Sequence, residues 1–171
     1  MRGGGPGWIP AFAGMTKGER KWLGFTRTAS QVSGCKNGYD EGMSLRDVLE
    51  GAVVMAPMTK GSNLPYRRLC VELGARVLMS EMTVARRLKQ KRRSEFALIR
   101  KAPDEPFFGV QLAGTNPEEM GWAAALVESR GVDLVDVNLG CPIDYSTRKG
   151  LGAPQGRQPR RIQRIVEGVK R

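Results

Sequence analysis

The chain contains no histidine. A histidine-based nucleophile relay, a histidine general base and a histidine metal ligand are therefore excluded within it. Cysteine is scarce. Cys35, Cys70 and Cys141 are an odd set with no Cys-x-x-Cys spacing, which argues against a disulfide framework and a zinc knuckle. That usage suits a reducing, cytoplasmic compartment, and no metal site is expected. Also missing are an apolar run long enough to cross a bilayer and a charged start leading into an uninterrupted apolar stretch of the secretory type. Negative charge is in deficit: 28 Lys and Arg stand against 17 Asp and Glu, a formal net charge of +11. Such an excess favours polyanionic partners, and nucleic acid fits better than a membrane because no basic amphipathic anchor is evident. The apolar fraction, 40%, is enough for a core, and 171 residues suggest one domain.

Residues 1–42 carry no folding pattern. Met1 to Gly7 is glycine-rich, and neither a helical nor a strand period appears up to Asp40. The segment reads as a disordered leader or a mis-assigned start, with Met43 as the alternative first residue. Residues 43–171 are then the domain.

Patterning begins at Ser44, a capping residue before a short helical segment. Val53 to Met58 reads as a short strand closed by Pro57, and Leu64 to Leu73 as a helix with Pro65 in its first turn and Gly74 as its stop. Cys70 shares a face with Tyr66, Leu69 and Leu73, which predicts a small buried side chain. Arg76 to Met82 reads as a second strand. Thr83 to Lys101 follows as a strongly basic segment in which Glu95 is the only acid. Pro106 to Leu112 is a third strand. Asn116, Pro117, Glu118 and Glu119 start a helix well, with a cap, a proline and acids against the positive dipole end. Asp133 to Asn138 is a fourth strand, and Gln158-Pro159 opens a basic helix carrying Ile162, Ile165, Val166 and Val169 on one face.

Repeated βα units imply a parallel sheet with right-handed crossovers. A doubly wound sheet and part of a (β/α)8 barrel both fit. Pro57-Met58-Thr59-Lys60-Gly61 stands where a Gly-x-Gly-x-x-Gly fingerprint would follow the first strand, and no Walker A sequence occurs. Both absences favour the barrel, which takes about 250 residues when complete. The fold expected is α/β: the N-terminal half, about four βα units, of a (β/α)8 TIM barrel.

The fourth strand ends in Asn138-Leu139-Gly140-Cys141-Pro142. Ligands of parallel sheets meet side chains at the C-terminal ends of strands, so a thiol there is placed for chemistry as much as for packing. A polar Gln111 inside the apolar run Phe107 to Leu112 is costly unless paired, which supports a ligand role.

Taken together, these motifs resemble the tRNA-dihydrouridine synthase family. The matching residues are Val54 to Met58, Ser80-Glu81-Met82, Phe108 to Leu112 and Asp136 to Pro142. The run from Asn138 to Gly152 is most similar to the branch with the eukaryotic-type synthase 3 enzymes, and the resemblance covers residues 43–171. It implies FMN in a barrel mouth, reduced by NADPH, and saturation of the C5–C6 bond of selected uridines in tRNA. Cys141 would give the proton to C5, a role that needs the neutral thiol. Asn138 would hold the uracil edge. Pro57, Met58 and Thr59 would line the flavin, and Gln111 would bond its pyrimidine edge. Arg148 and Lys149 would touch RNA, with the basic groups at 86–101 and 157–164 as weaker candidates. Glu81 has no assigned role.

The resemblance also implies a further half-barrel and a helical tRNA-binding domain. The family's loop usually continues Gly-Ala-Ala-Leu, where this chain has Gly152-Ala153-Pro154-Gln155. The expectation is thus a tRNA-dihydrouridine synthase by ancestry, truncated. The alternatives are a non-catalytic, RNA-binding half-barrel that needs a partner to complete the fold, and a flavin barrel acting on a small molecule.

Overall fold

The computed structural model describes residues 44–170. The leader expected at 1–42 lies outside the described residues. The elements run α1 (Leu45–Leu49), β1 (Val54–Met55), α2 (Leu64–Glu72), β2 (Val77–Met79), β3 (Thr83–Val84), α3 (Ala85–Lys89), α4 (Arg93–Leu98) and β4 (Phe107–Ala113). After these come α5 (Pro117–Glu128), β5 (Leu134–Val137), α6 (Asp144–Thr147), a 3-10 turn (Ala153–Arg157) and α7 (Pro159–Lys170).

Among the described residues every strand pairing is parallel: β1 with β2, β2 with β4, β3 with β4, and β4 with β5. Strands that neighbour one another in chain order, with no reversal, are the arrangement of a barrel and not of a doubly wound sheet. The short strand β3 is an addition to the expected elements. It pairs with the C-terminal end of β4 on the side where β2 pairs with its start, Thr83 facing Leu112 and Met79 facing Gly109. From Met79 to Thr83 the chain advances one residue more than from Gly109 to Leu112. β2 and β3 are therefore one strand interrupted by a bulge. Ser80 keeps the ladder across it, its N–H donating to Gly109 O at 2.8 Å.

Side chains along β4 divide by alternation. Phe108, Val110 and Leu112 are fully buried against Ala85 and Leu88 of α3, Met120, Ala123 and Val127 of α5, and Ile165 of α7. Each such large side chain contributes about 1.5–3 kcal/mol by leaving water. On the opposite face Phe107 joins Val77, and α1 covers them with Leu45, Val48 and Leu49. The capping box of Ser44 and Asp47 starts that helix. Higher on the same face stand Gly109 and Gln111. α7 crosses α5 where two glycines meet: a Cβ on Gly121 would lie 2.5 Å from Gly168 O, and one on Gly168 2.6 Å from Pro117 O.

The helix α2 corrects one expectation. Tyr66, Leu69 and Leu73 face outward, at 42%, 49% and 80% exposure, and Cys70 is half-buried. The side chain turned to the sheet is Arg67, fully buried, whose guanidinium lies 4.2 Å over the Phe108 ring. It pairs with the equally buried Glu105 and donates to Ser62 O at 3.0 Å and Arg100 O at 2.6 Å. A paired guanidinium with its donors used is a tolerable core group. Among the described residues no helix is long and apolar enough to cross a membrane.

Candidate active site at the C-terminal ends of the strands

Gln111 on β4 and Asp136 on β5 are partners in register, so they lie side by side on the face away from the outer helices. Gln111 Nε2 donates to Asp136 Oδ2 at 2.7 Å. Asn138, the first residue beyond β5, donates from Nδ2 to Gln111 Oε1 at 2.7 Å. Its own Oδ1 accepts from the backbone N–H of Cys141 at 3.1 Å. The bulge contributes as well: Ser80 Oγ accepts from Gln111 N at 3.1 Å and donates to Glu81 O at 2.7 Å. A polar residue in an apolar strand is thus paired, by other protein groups on neighbouring strands.

Cys141 is held from several directions. Its carbonyl accepts from Ala153 N at 3.1 Å, and Gly152, at φ +66°, packs directly on its backbone. The thiol Sγ donates to Ser146 Oγ at 3.5 Å. Ser146 is buried on the single turn α6, whereas Cys141 itself is half-buried.

The turn after β1 carries Pro57, Met58 and Thr59 at a strand end, with β2 between them and β4. Ser62 Oγ accepts from Met58 N at 2.7 Å and donates to Ala56 O at 2.9 Å, folding the turn on itself. Lys60 sits at φ 63° and its N–H donates to Glu81 Oε2 at 2.7 Å. Glu81, expected at a strand end without a role, ties the β1 turn to the end of β2.

Arg148 and Lys149 follow α6. The Arg148 side chain is 82% exposed and lies 3.8 Å from Asp144, while Lys149 Nζ stands 3.9 Å from the centre of the Tyr145 ring. The neighbouring Lys149 ammonium holds the Tyr145 hydroxyl below its ordinary pKa, with smaller help from the charge of Arg87. In the basic segment, Arg87 pairs at 3.0 Å with Glu95, which is buried and also accepts from Val84 N at 2.8 Å. So Gln111, Asn138 and Cys141 come together directly, and Arg148 and Lys149 stand on the loop beyond them.

The model of the family described as dihydrouridine synthase (Dus) matches residues 54–171. The chain belongs to the dihydrouridine synthase family. That family is a TIM barrel, and the parallel order β1, β2, β4, β5 here is a consecutive part of one. The chain is 42% identical over 127 residues to a tRNA-dihydrouridine(47) synthase [NAD(P)(+)] of Cryptococcus neoformans, 71% of this chain and 18% of that protein. It is 43% identical over 122 residues to the tRNA-dihydrouridine(47) synthase [NAD(P)(+)]-like protein of Mus musculus, 71% of this chain and 19% of that one. A Coprinopsis cinerea tRNA-dihydrouridine(47) synthase [NAD(P)(+)] matches at 33% over 153 residues, 84% of this chain and 23% of that protein. The chain thus spans about a fifth of the length of these curated relatives.

Within this dihydrouridine synthase segment, Asp136, Ser146 and Gly152 are the site residues whose part sequence reasoning missed, and Glu81 was singled out there without a role. Asp136 left a signal. A carboxylate inside the apolar run Leu134 to Val137 needs a partner as much as Gln111 does, and registering the two strands pairs them. Ser146 and Gly152 left none, because both meet Cys141 only once the loop has closed.

Proposed function

We propose that this chain forms the cysteine side of the active-site mouth of an enzyme that reduces uridine to 5,6-dihydrouridine in tRNA. One observation carries the reading. A thiol stands one short loop beyond the C-terminal end of β5, beside amides from two adjacent strands. FMN, with NADPH as its reductant, is the cofactor this chemistry calls for.

The residues fit such a ring. Beyond their mutual bonds, the carboxamides of Gln111 and Asn138 each keep one N–H and one lone pair, the mixed donor and acceptor set that a pyrimidine-dione edge requires. Gln111 and the turn Pro57, Met58 and Thr59 would hold the flavin, which when bound supplies the hydride for C6 of the base. Asn138 orients the uracil edge. Cys141, as the neutral thiol, gives its proton to C5, and Ser146 Oγ keeps that S–H in one direction until the base arrives. The target base leaves its stack to reach the mouth. Arg148 and Lys149 contact the flanking phosphates, which fix register without reading sequence.

The test begins with the purified chain, FMN and a visible spectrum. If flavin binds, NADPH and tRNA lacking dihydrouridine should yield the reduced base, and Cys141→Ala should keep the flavin but lose the product. Turnover retained in Cys141→Ala removes the proton-donor role. Failure to bind flavin removes the enzyme reading for this chain. The net charge of +11 supports a second reading, an RNA-binding half-barrel without catalysis. Salt-sensitive tRNA binding in the absence of any flavin would select it.

A further inference from the structure

The bonds from Asp136 to Cys141 have a direction. At one end, the Asp136 carboxylate only accepts; at the other, the Cys141 N–H only donates. Between them stand two carboxamides, Gln111 and Asn138, each of which could in principle sit either way round. With both ends fixed, one arrangement satisfies every bond: Gln111 turns its amino group to Asp136 and its oxygen to Asn138, and Asn138 turns its oxygen to Cys141. Rotating either amide alone would set oxygen against oxygen and amino group against amino group. The polar groups are enclosed enough for this to matter, Gln111 being 8% and Asn138 9% exposed.

We infer that Asp136 is a positioning residue for Cys141, acting through the orientation it imposes on Gln111 and Asn138. The carboxylate reaches the cysteine only through these two amides. Together with the Cys141 N–H it determines which atom of each amide is committed inside the protein, and so which atom is left to face a bound ring. It also backs the Asn138 oxygen that holds the cysteine backbone. The catalytic consequence rests on the proposed role of Cys141; the orientation itself does not.

A charge swap tests this without turnover. Asn138→Asp places a carboxylate where Gln111 already presents its oxygen. Turning Gln111 round only moves the conflict to Asp136. Adding Asp136→Asn removes it, because the whole series then reverses: Asn at 136 donates to Gln111, Gln111 donates to Asp at 138, and Asp at 138 still accepts from Cys141. In a background carrying Cys35→Ser and Cys70→Ser, the alkylation rate of Cys141 and the thermal midpoint are measured for the four members of the cycle. Asn138→Asp alone should change the alkylation rate by about tenfold and lower the midpoint. Asp136→Asn alone should do little, because the amide oxygen it leaves still accepts from Gln111. The double variant should return to the level of Asp136→Asn, a coupling typical of residues in one hydrogen-bonded network. If Asn138→Asp is silent, or if Asp136→Asn fails to rescue it, the inference is wrong. Should Asn138→Asp not fold, recovery of a cooperative melt in the double variant supports the inference, and failure to recover one overturns it. Turnover retained in Cys141→Ala would remove the function proposed above and leave this cycle standing.

Discussion

Gly152 lies against the backbone of Cys141 so closely that a Cβ there would be 2.5 Å from the cysteine carbonyl oxygen and 2.9 Å from its nitrogen. Its φ of +66° is also a conformation that disfavours side chains. Gly152→Ala should therefore move the cysteine loop and destabilise the chain by about 1–3 kcal/mol. Gly131, at φ +75° with nothing within 4 Å, is the control for backbone strain alone. Thermal melts of the two alanine variants separate crowding from strain, and only Gly152→Ala should alter Cys141 alkylation.

The buried pair Arg67 and Glu105 should be costly to break from either side. Arg67→Met leaves the Glu105 carboxylate in the core without its counter-charge, and Glu105→Gln does the same to the guanidinium over Phe108. Each single variant should lose about 3–5 kcal/mol in denaturant unfolding. Replacing both by apolar residues should cost clearly less than the two losses together, because no stranded charge remains.

Glu81→Gln should retain an acceptor for Lys60 N–H, whereas Glu81→Ala removes it. With its tie gone, the turn of Pro57, Met58 and Thr59 should exchange its amide protons faster. Lys60, at φ 63°, has no intrinsic preference for its present shape. Hydrogen exchange read at Lys60 in the two variants checks the difference, with stability changing by less than about 1 kcal/mol for the glutamine.

Asp47 makes α1 sensitive to acid. Hydrogen bonds from the Ser44 hydroxyl and then the Ser44 N–H hold its carboxyl below the ordinary value of 3.8, with a smaller contribution from Arg46. A carboxylate whose folded pKa is lowered gives stability that is fully present above its unfolded value and lost as pH falls through the folded one. Helix α1 should thus be intact at neutral pH and fray below about pH 4. Protection of the Ser44 amide, taken relative to its intrinsic exchange rate at each pH, should fall over that range, and Asp47→Asn should largely remove the dependence.

Much of the strand order was legible because Phe107 to Leu112 and Asp133 to Asn138 are apolar runs with clear ends, and Asn116-Pro117 marks a helix start by its chemistry alone. Asn116 Oδ1 indeed accepts from Glu118 N at 2.8 Å and Glu119 N at 3.0 Å. The outward face of α2 was not legible. Tyr66, Leu69 and Leu73 have the spacing of a core stripe, and what reverses the helix is an ion pair with Glu105, 38 residues away. The strand β3 escapes a sequence reading because two residues carry too little pattern, and its pairing depends on a bulge. In the site, Cys141 and Asn138 stood out by their position after a strand. Their supports did not, since Gly152 and Ser146 become neighbours of the cysteine only in three dimensions.

The crossing of α5 and α7 at Gly121 and Gly168 has a consequence for how the cysteine segment opens. β5, the cysteine loop and the 3-10 turn all lie between those two helices in the chain, so their contact closes a loop around the thiol. Local opening of β5, whose residues are only partly covered, releases strand pairing without releasing the ends of that loop. The thiol stays tethered, and the entropy of re-closing is small compared with that of a segment held at one end only. Loss of the glycine contact would convert a fluctuation that repairs itself locally into one that lets the whole segment, cysteine included, leave the sheet.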